Sequence, residues 1–186
     1  MRHLPDYGIT FIHNPKTAGT SIAQWLDWNF KTVKGRRHGN HDEVWEYFPK
    51  TKWCFGVVRN PWDRLASWYH MLREPCDFET FLYTRMYENS SSISLTFQPR
   101  INWAGVWYNI RTPQYEWFGE NTNYIIKYEQ LHEQFGYLQK VLDCDAPLPH
   151  RNKSVDFDYR TMYNDDMAEL VRDIYLKDVI EYEYEF

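Results

Sequence analysis

The chain has 186 residues, a formal net charge of −5 and 19% aromatic residues. This length fits one domain with a sizeable core, so we expect residues 1–186 to form a single domain. The negative charge argues against general binding to nucleic acid, and no apolar stretch reaches the ~20 residues that a membrane span requires. With no apolar signal core and no CxxC pair, the sequence predicts a soluble, cytoplasmic protein without a membrane partner.

Strand-to-helix transitions organise the first half of the chain. An apolar strand is predicted over residues 8–13, and a helix with apolar positions at helical spacing follows near Ile22. A basic loop over residues 31–41 precedes a short helix. The second strand is predicted over residues 53–58, and Pro61 suits the first position of the helix that comes next.

The second half continues the alternation of helices and strands. A helix is predicted over residues 77–87 and an irregular segment over 88–115. A third strand over 123–128, a helix over 129–143 and a last helix over 165–178 complete the chain. This order predicts an α/β fold in three layers, with a central parallel sheet flanked by helices.

The turn between the first strand and helix has the residue types of an anion-binding site. It reads Pro15-Lys16-Thr17-Ala18-Gly19-Thr20-Ser21. Backbone N–H groups at a helix start, hydroxyl groups and one ammonium would then surround one small volume. Such a volume binds a multiply charged anion.

A second segment repeats this arrangement with Arg and Ser. It reads Arg59-Asn60-Pro61-Trp62-Asp63-Arg64-Leu65-Ala66-Ser67-Trp68-Tyr69. Helical spacing separates Arg64 and Ser67 from the apolar side of the helix, so Ser67 is predicted to face a ligand. For Arg64 we expect a surface or ion-pairing role rather than contact with the ligand. Two such strand-to-helix turns predict a ligand with phosphate-like groups at two separate places.

The first turn departs from the ordinary P-loop, GxxxxGK[ST], in which the Lys follows the last Gly. Here Lys16 precedes Gly19. The second strand is followed by Arg59-Asn60. In phosphate-transfer enzymes an Asp at this position helps to hold magnesium. The residues therefore favour direct cationic binding over a metal-bridged triphosphate, and we expect no metal site.

The two segments resemble the nucleotide-binding motifs of sulfotransferases that use 3′-phosphoadenosine 5′-phosphosulfate (PAPS). The greatest likeness is to the carbohydrate-type branch, which includes the heparan sulfate 2-O-sulfotransferases. The resemblance extends to Tyr124–Leu131, Leu148–Ser154 and Tyr175–Phe186, and so covers nearly the whole chain. It implies a P-loop-like domain, PAPS as co-substrate, and an acceptor hydroxyl on a carbohydrate or a similar molecule.

The resemblance also implies roles for individual residues. Lys16 would contact the oxygen that bridges phosphate and sulfate, and the 5′-phosphosulfate cradle would comprise Lys16, Thr17, Ala18, Gly19, Thr20 and Ser21. Arg59 and Ser67 would hold the 3′-phosphate, with Arg151 and Lys153 as further candidates for that contact.

Sulfuryl transfer requires a base for the acceptor hydroxyl, and histidine fits best near neutral pH. The family places its catalytic His in a loop before the second strand, which implies His38, with His41 as the rival. His13 ends the first strand and is expected to shape the turn through a hydrogen bond.

Two other functions stay open. A non-catalytic module that binds phosphoadenosine or a sulfated glycan would use Arg59 and Ser67 but would not need Lys16 or His38. A P-loop phosphotransferase would need ATP and magnesium, which the position of Lys16 argues against.

Overall fold

The computed structural model describes residues 1–73, 75–87, 110–120, 122–149 and 158–186. The chain divides into two compact units. The first comprises Met1–Asn60 and Gln114–Asp156, and the second comprises Pro61–Pro113 and Phe157–Phe186. The second sequence motif therefore contributes Arg59 to the first unit and Ser67 to the second.

The first unit is built on a five-stranded sheet in the order β3-β1-β2-β4-β5. The strands are β1 (Arg2–Leu4), β2 (Ile9–Ile12), β3 (Val33–Lys34), β4 (Trp53–Val58) and β5 (Tyr124–Lys127). The parallel pairing of β2 with β4 and of β4 with β5 confirms the predicted centre of the sheet. The sequence did not predict β1 and β3, which pair antiparallel with each other, and β1 also pairs antiparallel with β2.

The helices follow the predicted order with changes at their ends. They are α1 (Gly19–Asn29), α2 (His41–Tyr47), α3 (Pro61–Leu72), α4 (Phe78–Tyr87), α5 (Leu131–Val141), α6 (Asp165–Ile174) and α7 (Leu176–Glu181). The helix predicted over 129–143 begins as a 3₁₀ turn at Tyr128–Gln130, and the one predicted over 165–178 breaks at Tyr175 into α6 and α7.

Helices cover both faces of the sheet. On one face, apolar side chains of α1 and α5 form a buried cluster with Phe11, Phe55 and Val57 of the central strands. On the other face, α2 packs beside β2. There the ring of Phe118 also lies so close to Gly56 that a Cβ at this position would overlap it. The first unit therefore has the three layers predicted from the sequence.

The second unit is helical in its described part. Helix α3 contacts α4, α6 and the 3₁₀ turn Tyr159–Met162. The indole of Trp62 donates to the carbonyl oxygen of Ala168 at 2.9 Å. The hydroxyl of Tyr163 donates to the carbonyl oxygen of Trp62 at 2.8 Å.

Arg64 was predicted to have a surface or an ion-pairing role, and the surface position is wrong. Its side chain is only 2% exposed, and Nη1 donates to the carbonyl oxygen of Thr112 at 3.3 Å. Tyr175 and the fully buried Asp178 also face the guanidinium. Helical spacing places Arg64 away from the apolar side of α3, but residues of the second unit enclose its side chain there.

Some predictions fall outside the described residues. These are most of the irregular segment over 88–115 and the candidate phosphate ligands Arg151 and Lys153. In the ranges that are described, no helix combines the length and apolar character needed to cross a membrane.

Candidate functional site

The turn before α1 leaves backbone donors at the start of that helix. Lys16 and Ala18 both adopt left-handed φ angles, of 68° and 61°, which non-glycine residues rarely do. Ala18 is the N-cap, provides no side-chain cap, and is followed by no acidic residue in the first turn. The N–H groups of Ser21 and Ile22 donate to the Ala18 carbonyl oxygen at 2.9 and 3.3 Å. The preceding N–H groups, of Gly19 and Thr20, lie at the positive end of the helix dipole.

Two buried side chains hold the turn in place. Thr17 is fully buried, and its hydroxyl donates to the carbonyl oxygen of Asn14 at 2.9 Å. The His13 ring packs against Gly19 so closely that a Cβ at that position would overlap it. Thr17 therefore shapes the turn with its hydroxyl, and its contribution to an anion cradle would come from its backbone.

Arg59 lies against the same turn. Its Nη1 donates to the carbonyl oxygen of Lys16 at 3.2 Å, and its guanidinium carbon stands 4.2 Å from the centre of the Tyr128 ring. Arg59 is 7% exposed. Burial, followed by the charge of Arg59, lowers the pKa of Lys16 from its ordinary value of 10.5 to about 8. Two cations held this close in a buried setting favour an anion as their shared partner.

Three contacting residues of this site were not singled out from the sequence. Asn14 and Gln114, both fully buried, hydrogen-bond to each other at 3.1 Å, and Gln114 also contacts the backbone of Arg59. Tyr128 supports the Arg59 guanidinium. No spacing rule points to Gln114, because it lies 55 residues from Arg59. For Tyr128, its position just after β5 was an available signal.

His38 joins the site through His13. Its Nδ1 lies 3.4 Å from the carbonyl oxygen of His13, and the two ring centres are 4.9 Å apart. Burial lowers the pKa of His38 from 6.5 to about 4, although its hydrogen bond to the His13 carbonyl acts in the opposite direction. Burial also keeps the pKa of His13 well below 6.5. Both rings are therefore neutral at pH 7, and a neutral imidazole can accept a proton.

His41 has different surroundings. It opens α2 and is 8% exposed, with its ring against Gly119 and 4.5 Å from the centre of Trp45. Neither ring nitrogen makes a hydrogen bond, although Nδ1 lies 3.5 Å from a carboxylate oxygen of Asp42. His41 is enclosed by packing, whereas His38 touches the residue that supports the turn.

The first unit thus brings together most of the residues selected from the sequence. Contacts connect Lys16 to Arg59, Gly19 to His13, and His13 to His38. Ser21 is buried at the start of α1 and Thr20 is exposed. Ser67 belongs to α3 in the second unit, where its side chain is buried, so its part in the site stays a prediction.

The described side chains include no group of three or more His, Cys, Asp or Glu residues placed to hold a metal ion. The donors gathered at the turn are instead an ammonium, a guanidinium and backbone N–H groups. These are ligands for anions.

No protein-family model matches the chain, and no curated protein is similar to it in sequence. Solved structures similar to the chain include a sulfotransferase from Alicyclobacillus acidocaldarius, with 13% sequence identity and a TM-score of 0.42 over 99% of this chain and 84% of that one. A likeness at this level establishes neither family membership nor activity.

Proposed function

We propose that the chain is a sulfotransferase that moves a sulfuryl group from PAPS to an acceptor hydroxyl. The contact between Arg59 and Lys16 beside the uncapped start of α1 carries this proposal. PAPS has a charged group at its 3′ position and a phosphosulfate at its 5′ position. A turn with backbone donors, an ammonium and an adjacent guanidinium suits such a ligand, and the two sequence motifs point to the same one.

Lys16 is proposed to act on the leaving group. In an in-line transfer the bond from sulfur to the bridging oxygen breaks while a bond to the acceptor oxygen forms, and negative charge grows on the bridging oxygen. An ammonium fixed beside that oxygen stabilises the transition state more than the ground state. With a pKa of about 8, Lys16 is mostly protonated at neutral pH, and a nearby anion would raise its pKa further.

His38 is proposed to accept the proton of the acceptor hydroxyl. Its low pKa keeps the ring neutral before the reaction. A pKa of about 4 makes His38 a weak base in the free protein, but a bound polyanion would raise this pKa and strengthen the base. His13 would position His38 through its carbonyl oxygen, which contacts Nδ1 of the His38 ring, and through the contact between the two rings.

The remaining assignments follow the resemblance. Arg59 and Ser67 are proposed ligands of the 3′-phosphate, and residues 16–21 form the proposed cradle for the 5′ end. We further propose that residues 1–186 work as one sulfotransferase domain and that the acceptor is a carbohydrate or a similar alcohol.

Calorimetry with 3′-phosphoadenosine 5′-phosphate (PAP) tests the nucleotide assignment. We expect PAP to bind without magnesium and at least tenfold more tightly than AMP or ATP with magnesium. Tighter binding of ATP with magnesium would indicate the phosphotransferase.

Transfer of labelled sulfate from PAPS to a panel of sugar and non-sugar alcohols then tests the activity. Tight PAP binding without transfer to any acceptor would favour the non-catalytic module.

A further inference from the structure

Gln114 forms a two-point contact with the backbone of Arg59. Its Oε1 accepts the Arg59 N–H at 2.9 Å, and its Nε2 donates to the Arg59 carbonyl oxygen at 2.7 Å. One side-chain amide thus satisfies both backbone groups of Arg59, as a residue of a neighbouring antiparallel strand would. Gln114 is completely buried, so water does not compete for these bonds.

The same amide also reaches the first strand-to-helix turn. Asn14 Nδ2 donates to Gln114 Oε1 at 3.1 Å and to the carbonyl oxygen of Val57 at 3.1 Å. The backbone fixes the orientation of both amides. A carbonyl oxygen only accepts, so Asn14 must present Nδ2 to Val57, and Gln114 must present Nε2 to Arg59.

These bonds connect the ends of the two central strands. Asn14 follows β2 and precedes Lys16 by two residues, and Arg59 directly follows β4. The cations of the candidate site therefore stand on two segments that Asn14 and Gln114 connect. The contact from Arg59 Nη1 to the Lys16 carbonyl oxygen joins the same two segments.

We propose that Gln114 is a positioning residue that sets the distance between the Arg59 guanidinium and the Lys16 turn, and thereby determines selectivity for a ligand with two separate anionic groups. Gln114 would not touch the ligand. It would act through the backbone of Arg59 on one side and through Asn14 on the other. This inference rests on the proposed function for its preferred ligand, PAP.

The test compares two matched substitutions. Gln114→Met keeps the length of the side chain and removes the hydrogen bonds to Asn14 and to the Arg59 backbone. Gln139→Met is the control, because the Gln139 amide also donates to a backbone oxygen in the first unit, that of Ala146 at 2.9 Å. We expect Gln114→Met to lower the ratio of PAP affinity to AMP affinity on the order of tenfold, and Gln139→Met to change it less than twofold.

A double-mutant cycle identifies the route of the effect. If Gln114 acts through Arg59, adding Gln114→Met to Arg59→Ala should change the affinity ratio little further. A full tenfold additional loss in that background would overturn the proposed route.

Gln114→Glu replaces Gln114→Met in these measurements if the Met variant does not fold. It retains the acceptor oxygens and loses the donation to the Arg59 carbonyl. An unchanged ratio in either folded variant contradicts the proposal, as does failure of both variants to fold.

Inorganic pyrophosphate separates this proposal from the proposed function. If the parent protein binds pyrophosphate but not PAP, the sulfotransferase assignment fails. The role of Gln114 is then judged from pyrophosphate affinity, which should fall on the order of tenfold in Gln114→Met and stay within twofold in Gln139→Met. A parent protein that binds neither probe overturns both proposals.

Discussion

The guanidinium of Arg59 donates a hydrogen bond to the backbone carbonyl oxygen of Lys16, at a distance of 3.2 Å. The two residues come from turns that follow neighbouring parallel strands, β2 and β4. The contact uses the backbone of Lys16, and the charge of Arg59 also helps to lower the pKa of the Lys16 ammonium.

Lys16→Ala should lower turnover on the order of 10²-fold or more, while PAP affinity falls much less. The reason is that the proposed contact strengthens only as charge develops on the leaving oxygen. Sulfate transfer from PAPS gives kcat, and calorimetry gives the affinity. The exposed Lys31 provides the control, and Lys31→Ala should match the parent. Equal turnover in the Lys16 variant and the parent would remove Lys16 from the mechanism.

Binding of PAP should be accompanied by proton uptake near pH 8. Burial and the charge of Arg59 lower the pKa of Lys16 to about 8 in the free protein, so part of the population is neutral there. A bound anion favours the ammonium and raises this pKa, so protons are taken up and affinity falls as pH rises above about 8. Calorimetry in buffers of different ionisation enthalpy measures the uptake. The same uptake in Lys16→Met would assign it to another group.

Arg59→Ala should remove the preference for PAP over AMP, because Arg59 is the proposed ligand of the 3′-phosphate. Tyr128→Ala should weaken the same preference by a smaller factor, since the ring supports the guanidinium at 4.2 Å. Tyr128→Phe keeps the ring and should behave like the parent. Calorimetry with both nucleotides measures the ratio, and an intact preference in Arg59→Ala would refute the assignment.

His38→Ala should abolish transfer and leave PAP affinity nearly unchanged. In the free protein the pKa of His38 is about 4, and kcat/KM for PAPS reports the free protein. This kcat/KM should therefore not fall between pH 7 and pH 5.5, as it would for a base of ordinary pKa near 6.5. The pH profile of kcat/KM for the parent protein checks this prediction. His41→Ala is the comparison, and an inactive His41→Ala beside an active His38→Ala would transfer the role to His41.

Two glycine substitutions should change stability in opposite directions. Gly19→Ala places a methyl group in the space of the His13 ring and should destabilise the protein by about 1–3 kcal/mol. Gly136→Ala, in α5, meets no atom within 4 Å and should stabilise it by about 0.5–1 kcal/mol. Urea denaturation measures both free energies of unfolding. An unchanged free energy of unfolding in Gly19→Ala would show that the turn can move away from His13.

The sequence predicted the features that depend on long, regular patterns. Continuous apolar runs identified β2 and β4, and the turns after them, with Lys16 and Arg59, were predicted to bind anions. Strands as short as β1 and β3, of three and two residues, have too few positions for such a pattern.

Other features depend on partners that are distant in the chain. The burial of Arg64 follows from the packing of α3 with other helices of the second unit, and amphipathic spacing alone does not report it. Gln114 looks like an ordinary loop residue until its amide is seen against the backbone of Arg59. The low pKa of His38 follows from its burial, which residue type and position do not specify.

The missing cap at Ala18 has a consequence for the ligand-free protein. A side-chain cap usually contributes about 1 kcal/mol to a helix, and α1 lacks one. An anion bound there would accept hydrogen bonds from the same N–H groups, and its affinity would include that contribution. Saturation with the right ligand should therefore raise the melting temperature, by an amount that its affinity and concentration determine. The melting temperature and the ligand occupancy would then both report on the backbone N–H groups at the start of α1.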